Sequence, residues 1–281
     1  MSSERRTWRA SRRRWLALAV LLAAAGYLVA INGAVALHDA SEASAANDDG
    51  GTVSDFSYLP ALRASPWGRE VRIWRWRPLR LLAANLAGPV RVGLQVGHLD
   101  AEKQPDELAA LRASTGGHWD GVDEVDMNLL VAGELATMLE RSGIVVDLLP
   151  ATVPPAYQAD LLLSLHFDAS PNEERNGYKS AHYRPQRNPN EPLLKLLVDR
   201  AMLATGLADD DRNVSGNMLN YYAFNQRHYR HAVARTTPAL LVELGYLSNE
   251  RDRSLAAEPE LLAEALRSGI LAYLAAIGRT P

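Results

Sequence analysis

Residues 159–166 read Ala-Asp-Leu-Leu-Leu-Ser-Leu-His (ADLLLSLH), and this stretch decides the fold. Four of its five residues 161–165 are leucine, so neither face of the segment is polar. A short apolar run of this kind predicts a strand covered on both sides, as in a largely parallel sheet between layers. Working outward, residues 239–244 (ALLVEL) form a second such run. Residues 90–96 (VRVGLQV) alternate and stop at Gly97, and residues 144–149 (IVVDLL) are short and β-branched. Between the strands lie helical patterns. Met127, Leu130, Val131, Leu135, Met138 and Leu139 recur at helical spacing across 124–142, with Gly143 as a stop. A second helix is predicted over 192–207. A closing helix is predicted over 258–277, with Leu261, Leu262, Leu266, Ile270 and Leu271 inward. Strands alternating with helices predict an α/β fold: a single layered domain over 89–281, its sheet mixed or mostly parallel and flanked by helices. No internal repeat is present.

Three of these strands run directly into an ionisable residue: His98 after Val96-Gly97, His166 after Leu165, and Glu243 after Val242. Ligands and catalysis gather at the carboxyl ends of strands in such sheets. A buried carboxylate costs several kcal/mol unless a charge compensates it, so two His and a Glu at one sheet edge point to a shared cation. Each has a simpler reading beside this one. A lone His at a strand end is commonly structural. Glu124 opens a helix, where the dipole favours an acid. Glu243 has 27 Arg as potential partners. His118, in a Gly-rich loop, and the His228/His231 pair read as solvated loop residues.

Composition narrows the chemistry. The 281 residues include no cysteine, which excludes thiol nucleophiles, cysteine-bound metal clusters and disulfides. Any metal must therefore sit on His, Asp and Glu, and seven His are available. At 47% apolar and 22% charged the chain is globular. The formal net charge of −3 conceals an asymmetry: the first fourteen residues hold six Arg against Glu4, a net +5, which leaves −8 on the rest. An acidic folded portion argues against nucleic acid as a partner.

The Arg-rich segment 1–14 precedes 23 residues, 15–37, without one charge. As a helix these would reach about 35 Å, enough to cross a hydrocarbon core of about 30 Å. Positive charge before the span and acids after it (Asp39, Glu42, Asp48, Asp49) predict a cytoplasmic start, a transmembrane helix preceding the folded domain, and an exported remainder. The span length favours an uncleaved anchor over a signal peptide cut at Ala34-Val35-Ala36 or Ala43-Ser44-Ala45. The Ser11-Arg12-Arg13-Arg14-Trp15-Leu16 run also has the look of a twin-arginine signal. Residues 38–55 read as a flexible linker, and 56–88, with Trp67, Trp74 and Trp76, as a lead-in segment.

Taken in order, VGLQVGH (92–98), DEVDMNL (123–129), ADLLLSLH (159–166) and PALLVELGYLSN (238–249) resemble the zinc-dependent N-acetylmuramoyl-L-alanine amidases of bacterial cell walls, over about residues 89–277. The resemblance implies zinc held by His98, Glu124 and His166, with Glu243 as catalytic base. It implies peptidoglycan or a muropeptide as substrate, cleaved between N-acetylmuramic acid and L-alanine. Two imidazoles and a carboxylate leave an open fourth position, as catalytic zinc requires. Asn128 and Asp168 become supporting or substrate contacts. The chain departs from the family pattern at Leu99-Asp100, where the family has Gly-Gly, at Gln95, where it has Asp, and at Asp168, where it has Asn. It also carries an insert with a helical pattern around 105–113. These departures leave open two other functions: a catalytically silent peptidoglycan-binding module, and a zinc peptidase or amidohydrolase with another substrate. The 77 positions from His166 to Glu243 show no spare acidic helix to plug such a site.

Overall fold

The computed structural model describes residues 88–281 and, before them, two short strands, β1 (Leu62–Ala64) and β2 (Glu70–Arg72), which pair antiparallel. The expected membrane span 15–37, the linker 38–55 and most of the lead-in 56–88 lie outside the described residues. Among the described residues no helix is long and apolar enough to cross a membrane.

From residue 88 the chain runs through β3 (Arg91–Val96), a two-stranded hairpin of β4 (His118–Trp119) and β5 (Val122–Asp123), and α1 (Glu124–Arg141). It continues with β6 (Val145–Leu149), β7 (Leu161–Asp168), β8 (Lys179–Ala181), α2 (Glu191–Met202) and a short α3 (Gly216–Leu219). It ends with β9 (Ala239–Tyr246), α4 (Glu250–Ala256) and α5 (Pro259–Ala276). The main sheet has the order β6-β3-β7-β9-β8, parallel except for β8, which runs antiparallel at the edge. The single, mostly parallel α/β layered domain read from the sequence is therefore present.

Side-chain alternation splits the core in two. Leu161, Leu163 and Leu165 of β7, with Leu240, Val242 and Leu244 of β9, face a cluster built with α1, α2 and α5. Leu162 and Leu241 face the other way, into a cluster of loop residues that includes Tyr157, Ala223, Phe224 and Val233. Both faces of the central strands are thus dry, which is why ADLLLSLH lacks a polar face. The same alternation puts Ser164, His166 and Glu243 on the loop-covered side.

Several expected boundaries shift. His166 and Glu243 do not follow their strands but lie inside them, since β7 continues to Asp168 and β9 to Tyr246. The pairing of β7 with β9 carries both strands past these residues to Asp168 and Tyr246, and its register slips only between His166 and Asp168. Only His98 lies beyond its strand end. The 192–207 helix ends as α-helix at Met202 and tightens into a 3-10 turn, Leu203–Thr205. The insert after His98 forms 3-10 turns, Ala101–Lys103 and Asp106–Leu111, instead of one helix. On the closing helix the expected Leu262, Leu266 and Ile270 are buried, joined by Tyr273 and Leu274, while Leu261 and Leu271 are half-buried. A separate α4 precedes it. Helix α2 buries Leu194, Val198 and Met202 in the same cluster as α5, so it belongs to the core and does not plug the sheet edge.

The α2–α5 crossing depends on Gly269. A Cβ there would meet the Val198 Cα at 2.9 Å and the Leu197 carbonyl at 3.1 Å. We expect Gly269→Ala to lower stability by about 1–3 kcal/mol through forced separation of the two helices. Chemical denaturation measures it, and an unchanged midpoint would show that the contact is soft.

Candidate metal centre

Glu124 is the first residue of α1, where the helix end favours a negative charge. Its side chain is turned back under the sheet edge and is buried. Oε2 accepts a hydrogen bond from the Gly117 N–H at 2.8 Å. Oε1 accepts longer ones, at 3.3 Å, from Asn128 Nδ2 and the Phe167 N–H. The same Oε1 lies 3.1 Å from His166 Nδ1 and 3.4 Å from His98 Nε2.

The two imidazoles arrive from different strands. His166 points from β7 to the loop-covered face. His98 follows Gly97, whose N–H still bonds the Leu165 carbonyl at 2.9 Å. The chain then turns sharply, with His98 at φ 62°. Gly97 has to be glycine here: a Cβ would lie 2.5 Å from the His166 ring. The rings meet edge to face, centroids 4.9 Å apart. The far nitrogens are held as well. His98 Nδ1 lies 2.7 Å from the Ser114 carbonyl, so it carries the proton and leaves Nε2 for a cation. His166 Nε2 lies 3.2 Å from the Tyr221 hydroxyl.

One donor atom from each of His98, Glu124 and His166 falls within 4.8 Å of the others. Tetrahedral zinc with bonds of about 2.0–2.1 Å separates its ligand atoms by about 3.3 Å. The 3.1 and 3.4 Å separations match that spacing. Two neutral imidazoles and one carboxylate are also the donor set zinc prefers. Burial by itself would raise the Glu124 pKa, but hydrogen bonds and charge from His166 and His98 hold it far below the usual carboxylate range. Burial likewise opposes protonation of His98, yet Glu124 and the Ser114 carbonyl raise its pKa. The carboxylate thus favours positive charge between the rings.

Glu243 stands beside His166, paired with it in register across β7 and β9. Its Oε2 is buried and has no hydrogen-bond partner. Burial, with the Glu124 and Asp168 carboxylates, pushes its pKa well above the usual range, and Lys179 opposes this. Lys179 faces Glu243 in the β8–β9 register. Its ammonium is buried against Asp168 and donates to the Tyr246 hydroxyl at 3.0 Å. Asp168 is thereby committed to Lys179 and to the Ala169 N–H, at 2.7 Å. Asn128 bonds the Gly97 carbonyl at 3.1 Å as well as Glu124, tying helix to turn. The other candidate His read from the sequence stay outside: His118 pairs with Asp123 at 2.7 Å, His231 with Glu107 at 2.5 Å, and His228 is exposed.

Residues 92–272 match the family described as N-acetylmuramoyl-L-alanine amidase. The chain belongs to that amidase family. It is 27% identical over 162 residues to a probable cell wall amidase, LytH, of Staphylococcus aureus, covering 54% of this chain and 50% of that protein. The chain therefore spans about half the length of the curated relatives it matches. Among solved structures it is similar to the catalytic domain of CwlV, an N-acetylmuramoyl-L-alanine amidase from Bacillus (Paenibacillus) polymyxa var. colistinus. That match has 20% identity and a TM-score of 0.48 over 66% of this chain and 98% of that one. An N-acetylmuramoyl-L-alanine amidase from Clostridium difficile 630 gives 20% identity and a TM-score of 0.48 over 66% and 97%.

The departures from the amidase pattern have local explanations. Leu99 is buried, and Asp100, standing where the family has glycine, takes a left-handed φ of 55° and pairs with Lys103 at 2.8 Å. Gln95, in place of Asp, donates from Nε2 to the Ala151 carbonyl at 2.5 Å, which an ionised Asp could not do. Asp168 is matched by Lys179. Residue-level reading did not find Ser114, Tyr221 or Lys179. Ser114 acts through a backbone carbonyl, which carries no sequence signal. Lys179 did offer one, as a lone Lys among small and aromatic residues 177–183.

Two predictions test the centre. Gly97→Ala drives a methyl into the His166 ring and should weaken zinc binding at least tenfold, about the effect of disturbing a ligand's support. A wild-type dissociation constant, measured by chelator competition, would contradict the geometry. The second concerns Glu243 in metal-free protein. A carboxyl whose folded pKa is raised contributes stability below its ordinary value near 4.5 and loses it as pH rises through the raised value. Glu243→Gln should therefore melt higher than the parent at pH 8, with the difference shrinking toward pH 4. A difference that does not vary with pH would show that Glu243 is not perturbed.

Proposed function

We propose that this chain is an exported, zinc-dependent N-acetylmuramoyl-L-alanine amidase that hydrolyses the amide between the lactyl group of N-acetylmuramic acid and the L-alanine of the stem peptide in peptidoglycan. The observation that carries the reading is the unpartnered, buried Glu243 Oε2 next to the His98–Glu124–His166 cluster. A buried acid without a donor is costly in a purely structural role and useful to a reaction that delivers it a proton.

Zinc on His98 Nε2, Glu124 and His166 Nδ1, when bound, supplies Lewis-acid polarisation of the scissile carbonyl and acidification of water. Glu243 then handles the proton. Its raised pKa makes Oε2 a stronger base than a solvated glutamate. It takes a proton from the attacking water and returns it to the departing L-alanine nitrogen. Lys179 opposes that rise. Asn128 fixes Glu124 relative to Gly97, and Ser114 fixes the His98 ring.

In the domain order we propose, residues 1–14 are cytoplasmic, 15–37 span the membrane, 38–55 tether, 56–88 lead in, and 89–281 catalyse outside. This reading is supported by the charge asymmetry and by the uncharged run.

Digestion of purified peptidoglycan followed by mass spectrometry tests the reading. The expected products carry unsubstituted muramic acid and a free L-alanine amine. Glu243→Ala should keep stoichiometric zinc and lose about 10²–10⁴-fold in turnover, the usual worth of a general acid–base group. Chelation should abolish activity and zinc should restore it. Cleavage elsewhere in the stem peptide would replace the amidase with a peptidase, and zinc without any cleavage would leave a binding module.

A further inference from the structure

Tyr221 plays no part in the proton transfers above, yet its hydroxyl meets the outer nitrogen of His166 as the Ser114 carbonyl meets that of His98. It lies between α3 and the 3-10 turn Tyr222–Phe224, partly buried on the loop-covered face of the sheet. Its ring is held on three sides: edge-on to His166 at 5.6 Å, edge-on to Phe224 at 5.1 Å, and tilted on Tyr222 at 4.6 Å. Its oxygen lies 3.2 Å from His166 Nε2, 3.3 Å from Ser164 Oγ and 3.4 Å from the Tyr222 oxygen.

The direction of these hydrogen bonds is set from the far end. The Ala151 carbonyl can only accept, and the Tyr222 hydroxyl lies 2.5 Å from it, so Tyr222 spends its proton there. The amide nitrogens of Gln95 and Gln104, each 3.3 Å away, can only donate to the Tyr222 oxygen. Tyr222 therefore cannot donate to Tyr221, and in the 3.4 Å contact between the two hydroxyls Tyr221 is the donor. What Tyr221 then presents to His166 is a lone pair. The His166 Nε2 must bring the proton, and its Nδ1, beside Glu124, keeps the free lone pair that a metal needs.

We propose that the Tyr221 hydroxyl is a positioning residue for the metal centre, accepting the His166 Nε2–H and so committing His166 to bind metal through Nδ1. The inference rests on the zinc reading of the His98–Glu124–His166 cluster. Ser114 does for His98 with a backbone carbonyl what Tyr221 does for His166 with a side chain. Gln104 and Ser114 flank the 105–113 insert, so the two ends of one segment support both ligands. The opposite polarity, with Tyr221 donating to Nε2, would leave a proton on Nδ1 where the metal must sit.

Chelator-competition titration of the whole chain with zinc, and visible spectra of the cobalt(II) form, test this. Tyr221→Phe keeps the ring and removes the hydroxyl. Its zinc dissociation constant should rise about 10–100-fold, the range for loss of a partner that orients a ligand. The cobalt(II) bands should change in shape or intensity. Tyr157→Phe deletes a hydroxyl from the same cluster, bonded to Asp147 at 2.8 Å and remote from His166. It should bind zinc within twofold of the parent. Parent-like affinity and spectrum in Tyr221→Phe would overturn the proposal, as would an equal loss in Tyr157→Phe. Absence of zinc binding by the parent would overturn the zinc reading itself, and with it this one. If Tyr221→Phe fails to fold, NMR of the zinc-loaded parent decides. An exchange-protected His166 Nε2–H with cross-peaks to the Tyr221 ring supports the proposal, and a His166 proton on Nδ1 overturns it.

Discussion

One carboxylate oxygen, Glu124 Oε1, faces two imidazole nitrogens at 3.1 and 3.4 Å from inside a protein core, and the rest of the site is organised around it. Such an acid is tolerable only if positive charge and hydrogen bonds compensate its burial. The structure supplies both. The start of α1 favours the charge, Gly117 and Asn128 donate to it, and two rings from separate strands converge on it. The sheet makes this convergence possible. Strands β3 and β7 are adjacent and parallel, so a residue near the end of each reaches the same place. Gly97 lets the turn pass within touching distance of the His166 ring.

The same constraint explains why the surroundings are polar but not open. Glu243, Lys179 and Asp168 form a row beside the cluster in which one positive charge stands between two acids. The Ser248-Asn249 pair at the end of the last motif does structural work at the same edge. Ser248 Oγ accepts from the Ser170 N–H at 3.0 Å, and Asn249 caps α4 while donating to the Glu173 carbonyl at 2.7 Å. The motif that ends in these residues thus carries Glu243 and also secures the loop after β7. A departure such as Asp168 is absorbed by a partner, Lys179, and need not disturb the cluster.

The fold was legible because its central strands are dry on both faces, which leaves an unambiguous apolar run at 161–165. The cluster was legible for a related reason. His98, His166 and Glu243 stood out because each follows such a run, whereas Glu124 came only through the resemblance to the amidase family. What could not be read was whatever depends on backbone or on distant loops. The strand ends were missed because ladder bonds continue through His166 and Glu243 regardless of their polarity, although the alternation Leu162, Ser164, His166 hinted at it. Tyr221 is 55 positions from His166 in the chain. Nothing in the NYYAFN run at 220–225 says which ring will meet His166.

X-ray absorption at the zinc edge of the purified protein tests the central claim most directly, because it reports the ligands and not the consequences. The account predicts one zinc per chain, with a first shell of nitrogen and oxygen at about 2.0–2.1 Å and the outer-shell signature of two imidazoles. A chain that takes up no zinc, or a shell with fewer than two imidazoles, would contradict it.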